Sequence, residues 1–271
     1  MLPLLAGATL FLLLWGALNL AEPVMRGGLA RVTRVTARFR HGNYLSVGIL
    51  LAGGVAVSAW AADSFVDLAE LVIQKSAALQ AIDERWHVGA VASRTSAETR
   101  VFEALSIFGG PVSMGALVGA VALGLLVRGR PARALYLIGT AGGGALLNVA
   151  LKHHFQRARP ALAEMLQRAN GYSFPSGHAM GATVVLGALA YLALDVLPTW
   201  RQKSAAISVG ATLSVAIAAS RVYLGVHWLS DVGAGAAAGL LWLAAATIGF
   251  ETFRRIRLLR AATRPSKVPA A

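Results

Sequence analysis

Three short stretches of this chain set three cations, two histidines and a carboxylate among apolar residues: Lys152 and Arg159, then Ser176, Gly177 and His178, then Arg221, His227 and Asp231. Those groups suit the breaking of a phosphoester bond. A phosphomonoester near neutral pH carries close to two negative charges and repels a nucleophile until cations offset them. Arg159 and Arg221 offer planar forks that grip two oxygens at once, and Lys152 a point charge on a flexible stem. The reaction also needs a nucleophile for phosphorus and a proton for the departing alkoxide, and histidine titrates nearest to physiological pH. His227 and Asp231 are four apart, a spacing that shares one helical face, so the carboxylate can hold one ring N–H and leave the other nitrogen bare. This makes His227 the expected nucleophile and Asp231 its orienting partner. His178 follows Pro-Ser-Gly at the expected start of a helix, where free N–H groups face an anion. It is the expected acid for the leaving group, with Ser176 and Gly177 supplying hydroxyl and backbone donors to the phosphoryl oxygens.

Written out, the stretches read KHHFQRARP at 152–160, PSGH at 175–178 and SRVYLGVHWLSD at 220–231. They resemble the K-x6-R-P, P-S-G-H and S-R-x5-H-x3-D signature of the type 2 phosphatidic acid phosphatase superfamily, with every fixed position filled. The resemblance covers roughly residues 100–250, while the first hundred match only in general hydropathy. It implies a metal-independent phosphatase without a cofactor that forms a phosphohistidine on His227. His178 would protonate the leaving group and then activate water. Lys152, Arg159, Ser176, Gly177 and Arg221 would bind phosphate, and Asp231 would orient His227. The superfamily's haloperoxidase relatives hold vanadate in a similar pocket but are soluble.

These residues must be carried by membrane helices. The chain is 56% hydrophobic and 14% charged, with a mean hydropathy of +0.63 over 271 residues, too apolar for an ordinary soluble domain. The net charge of +13 is better explained by topology than by nucleic acid, because the basic residues lie mainly between apolar runs. There is no cysteine, hence no disulfide or thiolate metal site. Apolar stretches fall near 1–20, 44–62, 105–128, 134–151, 178–197, 204–226 and 229–250, most of them near the ~20 residues that cross a hydrocarbon core. The expected fold is an all-α polytopic transmembrane bundle of six core spans, with an extra hydrophobic helix at the N-terminus. In domain terms, 1–43 holds that helix and a basic cytoplasmic connection, 44–250 is the membrane phosphatase domain, and 251–271 is a basic cytoplasmic tail.

Charge sets the expected orientation. The connection before 44, the turns near 130 and 200 and the C-terminal tail are rich in Lys and Arg, which belong on the cytoplasmic side. Segment 63–104 holds seven acids against four bases, alternates to the outer side, and is expected to form amphipathic helix there. Counting spans puts the 152–177 loop and the 226–229 turn outside too, so the three motifs meet on the periplasmic or exterior face of the cell's inner membrane. Expected partners are a lipid phosphate and the bilayer, with no nucleic acid; the sequence leaves the oligomeric state open. Phosphatidic acid, phosphatidylglycerol phosphate and a polyprenyl diphosphate all fit as substrates.

Other readings are weaker. A phosphotransferase would use the same His/His/Asp set but needs an acceptor pocket that the sequence does not reveal. An anion transporter would place its charges near the midplane rather than at one end. His41, His87, His153 and His154 lie outside the fixed motif positions and are not expected to be catalytic. Pro160 and Pro175 stiffen the chain, Asn148 bonds within the bundle, and no metal-ligand set is apparent.

Overall fold

The computed structural model describes residues 7–23, 42–160 and 164–262, and within them the chain forms helices and no strands. Helix α1 covers 7–23. The others are α2 (Gly42–Ile73), α3 (Ala77–Ala92), α4 (Ser96–Phe108), α5 (Pro111–Val127), α6 (Pro131–Phe155), α7 (Gly177–Leu194), α8 (Trp200–Tyr223) and α9 (Leu229–Ala262). Their ends follow local chemistry. Ser76 and Thr95 accept the N–H groups of Leu79 and Glu98 to start α3 and α4, and Thr199 forms a capping box with Gln202 at α8. Pro111 and Pro131 occupy the first turns of α5 and α6, where their missing N–H costs no intrahelical bond.

Helices α6, α7, α8 and the 229–257 part of α9 are each long and apolar enough to cross a membrane. Helices α4 and α5, bent by 50° at their break, would together make a fifth span among the described residues. The expected single span over 105–128 is therefore broken at Gly109–Gly110, and the stretch 44–62 expected as a span lies within the longer helix α2, which ends at Ile73. Segment 63–104 divides accordingly into the end of α2, all of α3 and the first part of α4. Helix α9 continues through residue 250 to Ala262.

Helix α7 lies at the centre and packs on α6, α8 and α9. Its Ala182, Val185, Leu186 and Ala188 meet Met114 and Val118 of α5, Leu137 of α6 and Ile217 of α8 in one buried cluster. Large apolar side chains such as Leu123, Leu135 and Leu146 stay exposed on the outside. They suit lipid rather than water, and helices can face lipid because they satisfy their backbone groups internally. Helix α1 docks on the start of α8: Trp15 Nε1 donates to the Arg201 carbonyl at 3.1 Å, and Asn19 Nδ2 to Ser204 Oγ at 3.0 Å.

The four central helices run alternately up and down. The C-terminal ends of α6 and α8 and the N-terminal ends of α7 and α9 therefore share one end of the bundle. At the opposite end, Arg133 of α6 pairs with Asp195 after α7 at 2.7 Å. Close approach of α7 to α9 depends on Gly235, where a Cβ would stand 2.6 Å from the Ser176 carbonyl oxygen.

Candidate active site

All three sequence motifs meet at that shared end. Lys152 lies in the last turn of α6 and Arg221 in the last turn of α8, while Ser176, Gly177 and His178 open α7 and Asp231 lies in the first turn of α9. A backbone bond from Ser176 N–H to the Asp231 carbonyl, 2.9 Å, ties the second motif to the third.

His227 is buried in the turn between α8 and α9, with its backbone N–H held by the Arg221 carbonyl at 3.2 Å. Its two nitrogens have different neighbours. Nδ1 faces Asp231 Oδ2 at 3.3 Å, and Nε2 faces Arg159 Nη1 at 3.2 Å. Since a guanidinium can only donate, Nε2 is the acceptor, and the neutral ring carries its hydrogen on Nδ1, toward the carboxylate. Burial pushes the His227 imidazole down to about 4. The Asp231 carboxylate opposes that shift, and the Arg159 and Lys152 charges add to it. At neutral pH Nε2 is thus unprotonated and accepts from Arg159.

Asp231 is fully buried, and its two oxygens are divided. Oδ1 accepts from Arg157 Nη1 at 2.7 Å, while Oδ2 accepts from the Trp228 N–H at 2.9 Å, from Ser173 Oγ and from His227. An anion at this position also gains from the positive end of the α9 dipole.

Arg159 touches the ring and the Lys152 charge acts on it, while the Arg221 charge acts on His178. Lys152 Nζ donates to the Tyr172 and Ser173 carbonyls at 2.6 and 3.3 Å. Arg159 bonds the Val226 carbonyl at 2.7 Å and those of Gly171, Asn170 and Tyr172 at 3.0–3.2 Å, holding the 156–176 connection over the α8–α9 turn. Burial lowers Arg159 from its ordinary value, with Asp231 opposing; a guanidinium nevertheless keeps its charge in a protein. Arg221, also buried, reaches Ser106 Oγ and Gln167 Oε1 through Nη1, the latter at 3.0 Å.

Two donors here have no partner among the described residues: Ser176 Oγ and Arg221 Nε are both buried without a hydrogen bond. Leaving such groups unpaired is costly unless a ligand completes them. Ser176 stands at the N-cap of α7 but makes no side-chain cap bond, so capping does not explain its hydroxyl. Gly177 follows at the first helical position, where an N–H lacks an intrahelical acceptor. A Cβ there would meet Asn148 Oδ1 at 2.9 Å. His178 lies on the wall of an apolar cavity of about 550 Å³ between α5, α6 and α7. Its Nε2 is 3.8 Å from the place a Gly110 Cβ would take.

A family model of the PAP2 superfamily matches residues 133–255. Phosphatidylglycerophosphatase B of Bacillus subtilis (strain 168) is 31% identical over 165 residues, 60% of this chain and 81% of that protein. The chain belongs to the PAP2 superfamily. The crystal structure of the first transmembrane PAP2 type phosphatidylglycerolphosphate phosphatase from Bacillus subtilis is similar to it, with a TM-score of 0.66 at 29% identity, covering 74% of this chain and 96% of that one. This protein is a PAP2-type phosphoric-ester hydrolase with a multi-pass membrane fold.

In this PAP2 protein the eight residues expected from the motifs are brought to one end of the bundle. One geometric expectation needs correction. His227 and Asp231 do not share a helical face: Leu224 ends α8, and His227 lies in the turn before α9. Asp231 still reaches the ring because its carboxylate folds back over the first turn of α9, where it also accepts the Trp228 N–H. His153 and His154 pack edge-on against Tyr172 and Phe155, and Asn148 bonds the Pro175 carbonyl and Met180 Sδ. His87 pairs with Glu164 at 2.5 Å.

The motifs alone did not mark Asp83, Arg157, Ser173, Ser106 or Gln167. Arg157 occupies a variable position of the first motif. For Asp83 a signal was present, since Leu79, Asp83 and His87 recur every four residues and form the buried face of α3.

Proposed function

We propose that this protein hydrolyses the phosphomonoester or diphosphate of a membrane lipid, through a phosphohistidine on His227, at the outer face of the membrane. The observation that supports this most directly is the buried His227 ring, with Nδ1 on Asp231 and Nε2 turned to Arg159. The buried, unpartnered Ser176 Oγ and Arg221 Nε lie at the same end of the bundle.

The phosphoryl group is gripped by Lys152, Arg159 and Arg221 and by the Ser176 hydroxyl and Gly177 N–H. Arg159 then exchanges Nε2 of His227 for phosphoryl oxygens. The Nε2 lone pair forms the N–P bond as the P–O bond to the lipid breaks, and His178, which takes up a proton as the phosphoryl dianion binds beside it, gives that proton to the departing oxygen. The phosphorylated ring keeps its Nδ1 hydrogen and carries positive charge, which the Asp231 carboxylate offsets. His178, now neutral, takes a proton from water while the water oxygen attacks phosphorus. The N–P bond breaks, inorganic phosphate leaves and His227 is regenerated. The donors act most strongly on the charge that develops in the transition state.

Charge distribution supports the orientation. The basic turns near 130 and 200 lie at the end with the Arg133–Asp195 pair, and positive charge belongs inside, which favours a site on the outer face and a C-terminus in the cytoplasm. The name of the Bacillus subtilis relative puts phosphatidylglycerol phosphate first among substrates to try.

The test is phosphate release by the purified protein in detergent from phosphatidylglycerol phosphate, phosphatidic acid and a polyprenyl diphosphate. Turnover of at least one, lost in His227→Ala, is the expected result. Failure on all three, with a monodisperse folded sample, would overturn the reading.

A further inference from the structure

Asp83 takes no part in the chemistry just described, yet it is 2% exposed on the buried face of α3. Its Oδ1 accepts the Ser230 N–H at 2.9 Å, and its Oδ2 accepts Ser230 Oγ at 2.5 Å and Arg157 Nη2 at 2.7 Å. The other arm of that guanidinium, Nη1, donates to Asp231 Oδ1 and to Ser230 Oγ, both at 2.7 Å. Trp228 lies beside Arg157, its ring centre 5.8 Å from Cζ. One guanidinium thus bridges two buried carboxylates, and the second of these holds His227.

We infer that Asp83 and Arg157 are positioning residues for phosphoryl transfer, a buried link from the peripheral helix α3 that fixes how the Asp231 carboxylate faces His227. The inference rests on the proposed role of His227.

Two physical arguments support it. First, Asp231 uses one oxygen for Arg157 and the other for His227. Anchoring Oδ1 stops the carboxylate turning about its Cβ–Cγ bond, and so keeps the imidazole in one tautomer and one direction. Second, the three groups sum to one negative charge, enough to offset the positive ring formed when Nε2 is phosphorylated. Without Arg157, two uncompensated carboxylates would stand behind the ring. Without Asp83, the whole guanidinium charge would fall on Asp231, which would then hold the ring's positive charge less well. The two substitutions therefore act on His227 in opposite directions. Among the described residues, the other charged or titratable groups acting on this ring or on His178 include Arg159, Lys152 and Arg221; neither substitution alters them.

The experiment uses full-length protein in detergent with Asp83→Asn, Arg157→Gln and Arg157→Lys. With a short-chain phosphatidic acid as probe, kcat should fall by about 10–100-fold in Arg157→Gln, with KM within about twofold, and Arg157→Lys should recover part of the loss. In NMR of ring-labelled histidine, with His227 assigned through His227→Gln, the His227 titration should move to higher pH in Arg157→Gln and to lower pH in Asp83→Asn. A loss of activity with the His227 titration unmoved in both variants, or moved the same way in both, overturns the inference. The titration is read without turnover. A wild type that hydrolyses none of the lipids would therefore count against the proposed function, while the paired shifts would still support or overturn the link through Arg157. Asp83→Asn, which keeps shape, guards against a misfolded Arg157→Gln.

Discussion

Arg159 Nη1 lies 3.2 Å from Nε2 of His227. The proposed phosphate-binding cation therefore rests on the atom proposed to attack phosphorus, and it marks where the phosphoryl group must arrive. A phosphoryl oxygen that takes over the guanidinium draws phosphorus toward the freed lone pair. Binding and exposure of the nucleophile become one event.

Removing the nucleophile should be nearly complete in effect. His227→Ala is expected to lower kcat by about four orders of magnitude or more, and rapid acid-free quenching with a radiolabelled phosphate donor should trap labelled wild-type protein but no labelled variant. A labelled His227→Ala protein would move the nucleophile elsewhere.

His178 should matter in proportion to how badly the leaving group needs a proton. His178→Ala should slow release of a lipid alkoxide by about 10²–10⁴-fold but slow an activated aryl phosphate far less. Equal losses on both substrates would remove the acid role.

The pH dependence follows from burial of His227, which holds its pKa at about 4. The ring stays unprotonated through neutral pH, so the acid limb of kcat/KM set by this group should fall near 4 rather than near the ordinary value of about 6.5. Stability carries the same sign. Between those two values the unfolded chain binds a proton at this ring and the folded chain does not, so this contribution is full above about 6.5 and is lost as pH falls toward 4. Thermal unfolding of wild type and His227→Gln across that window checks it: the wild type should lose more of its Tm on acidification.

Cationic side chains and backbone donors do the work in the proposed mechanism, so activity should survive EDTA, and vanadate should inhibit as a phosphate mimic. Phosphate release measured after chelation, with and without added Mg²⁺, decides the first point. A strict requirement for Mg²⁺ would overturn the metal-free mechanism.

Gly235→Ala tests the packing beneath the site. Its Cβ would lie 2.6 Å from the Ser176 carbonyl oxygen, forcing α7 and α9 apart at a cost of about 1–3 kcal/mol. A lower Tm accompanied by a lower kcat is expected, because the bond between Ser176 N–H and the Asp231 carbonyl sits at the same contact.

The central helices were legible from hydropathy alone, since α6 to α9 each offer a long apolar run, and the convergence of the motifs was legible because each falls at a helix end. What was not legible came from tertiary contacts. No periodicity announces that a guanidinium two residues before Arg159 will bridge Asp83 and Asp231, partners 74 positions away on either side. The break before Pro111 was hidden because the apolar run continues across Gly109 and Gly110. The placement of His227 outside a helix was missed because a spacing of four arises equally from a turn that leads into a first helical turn.

The alternation of α6 to α9 has an electrostatic consequence at the site. Helices α7 and α9 present their positive N-terminal poles there, while the negative C-terminal poles of α6 and α8 carry Lys152 and Arg221 in their last turns. Among these four helices, each pole at that end is therefore positive or carries a cation in its last turn. The four termini together favour an anion at the site before any individual side chain has made contact.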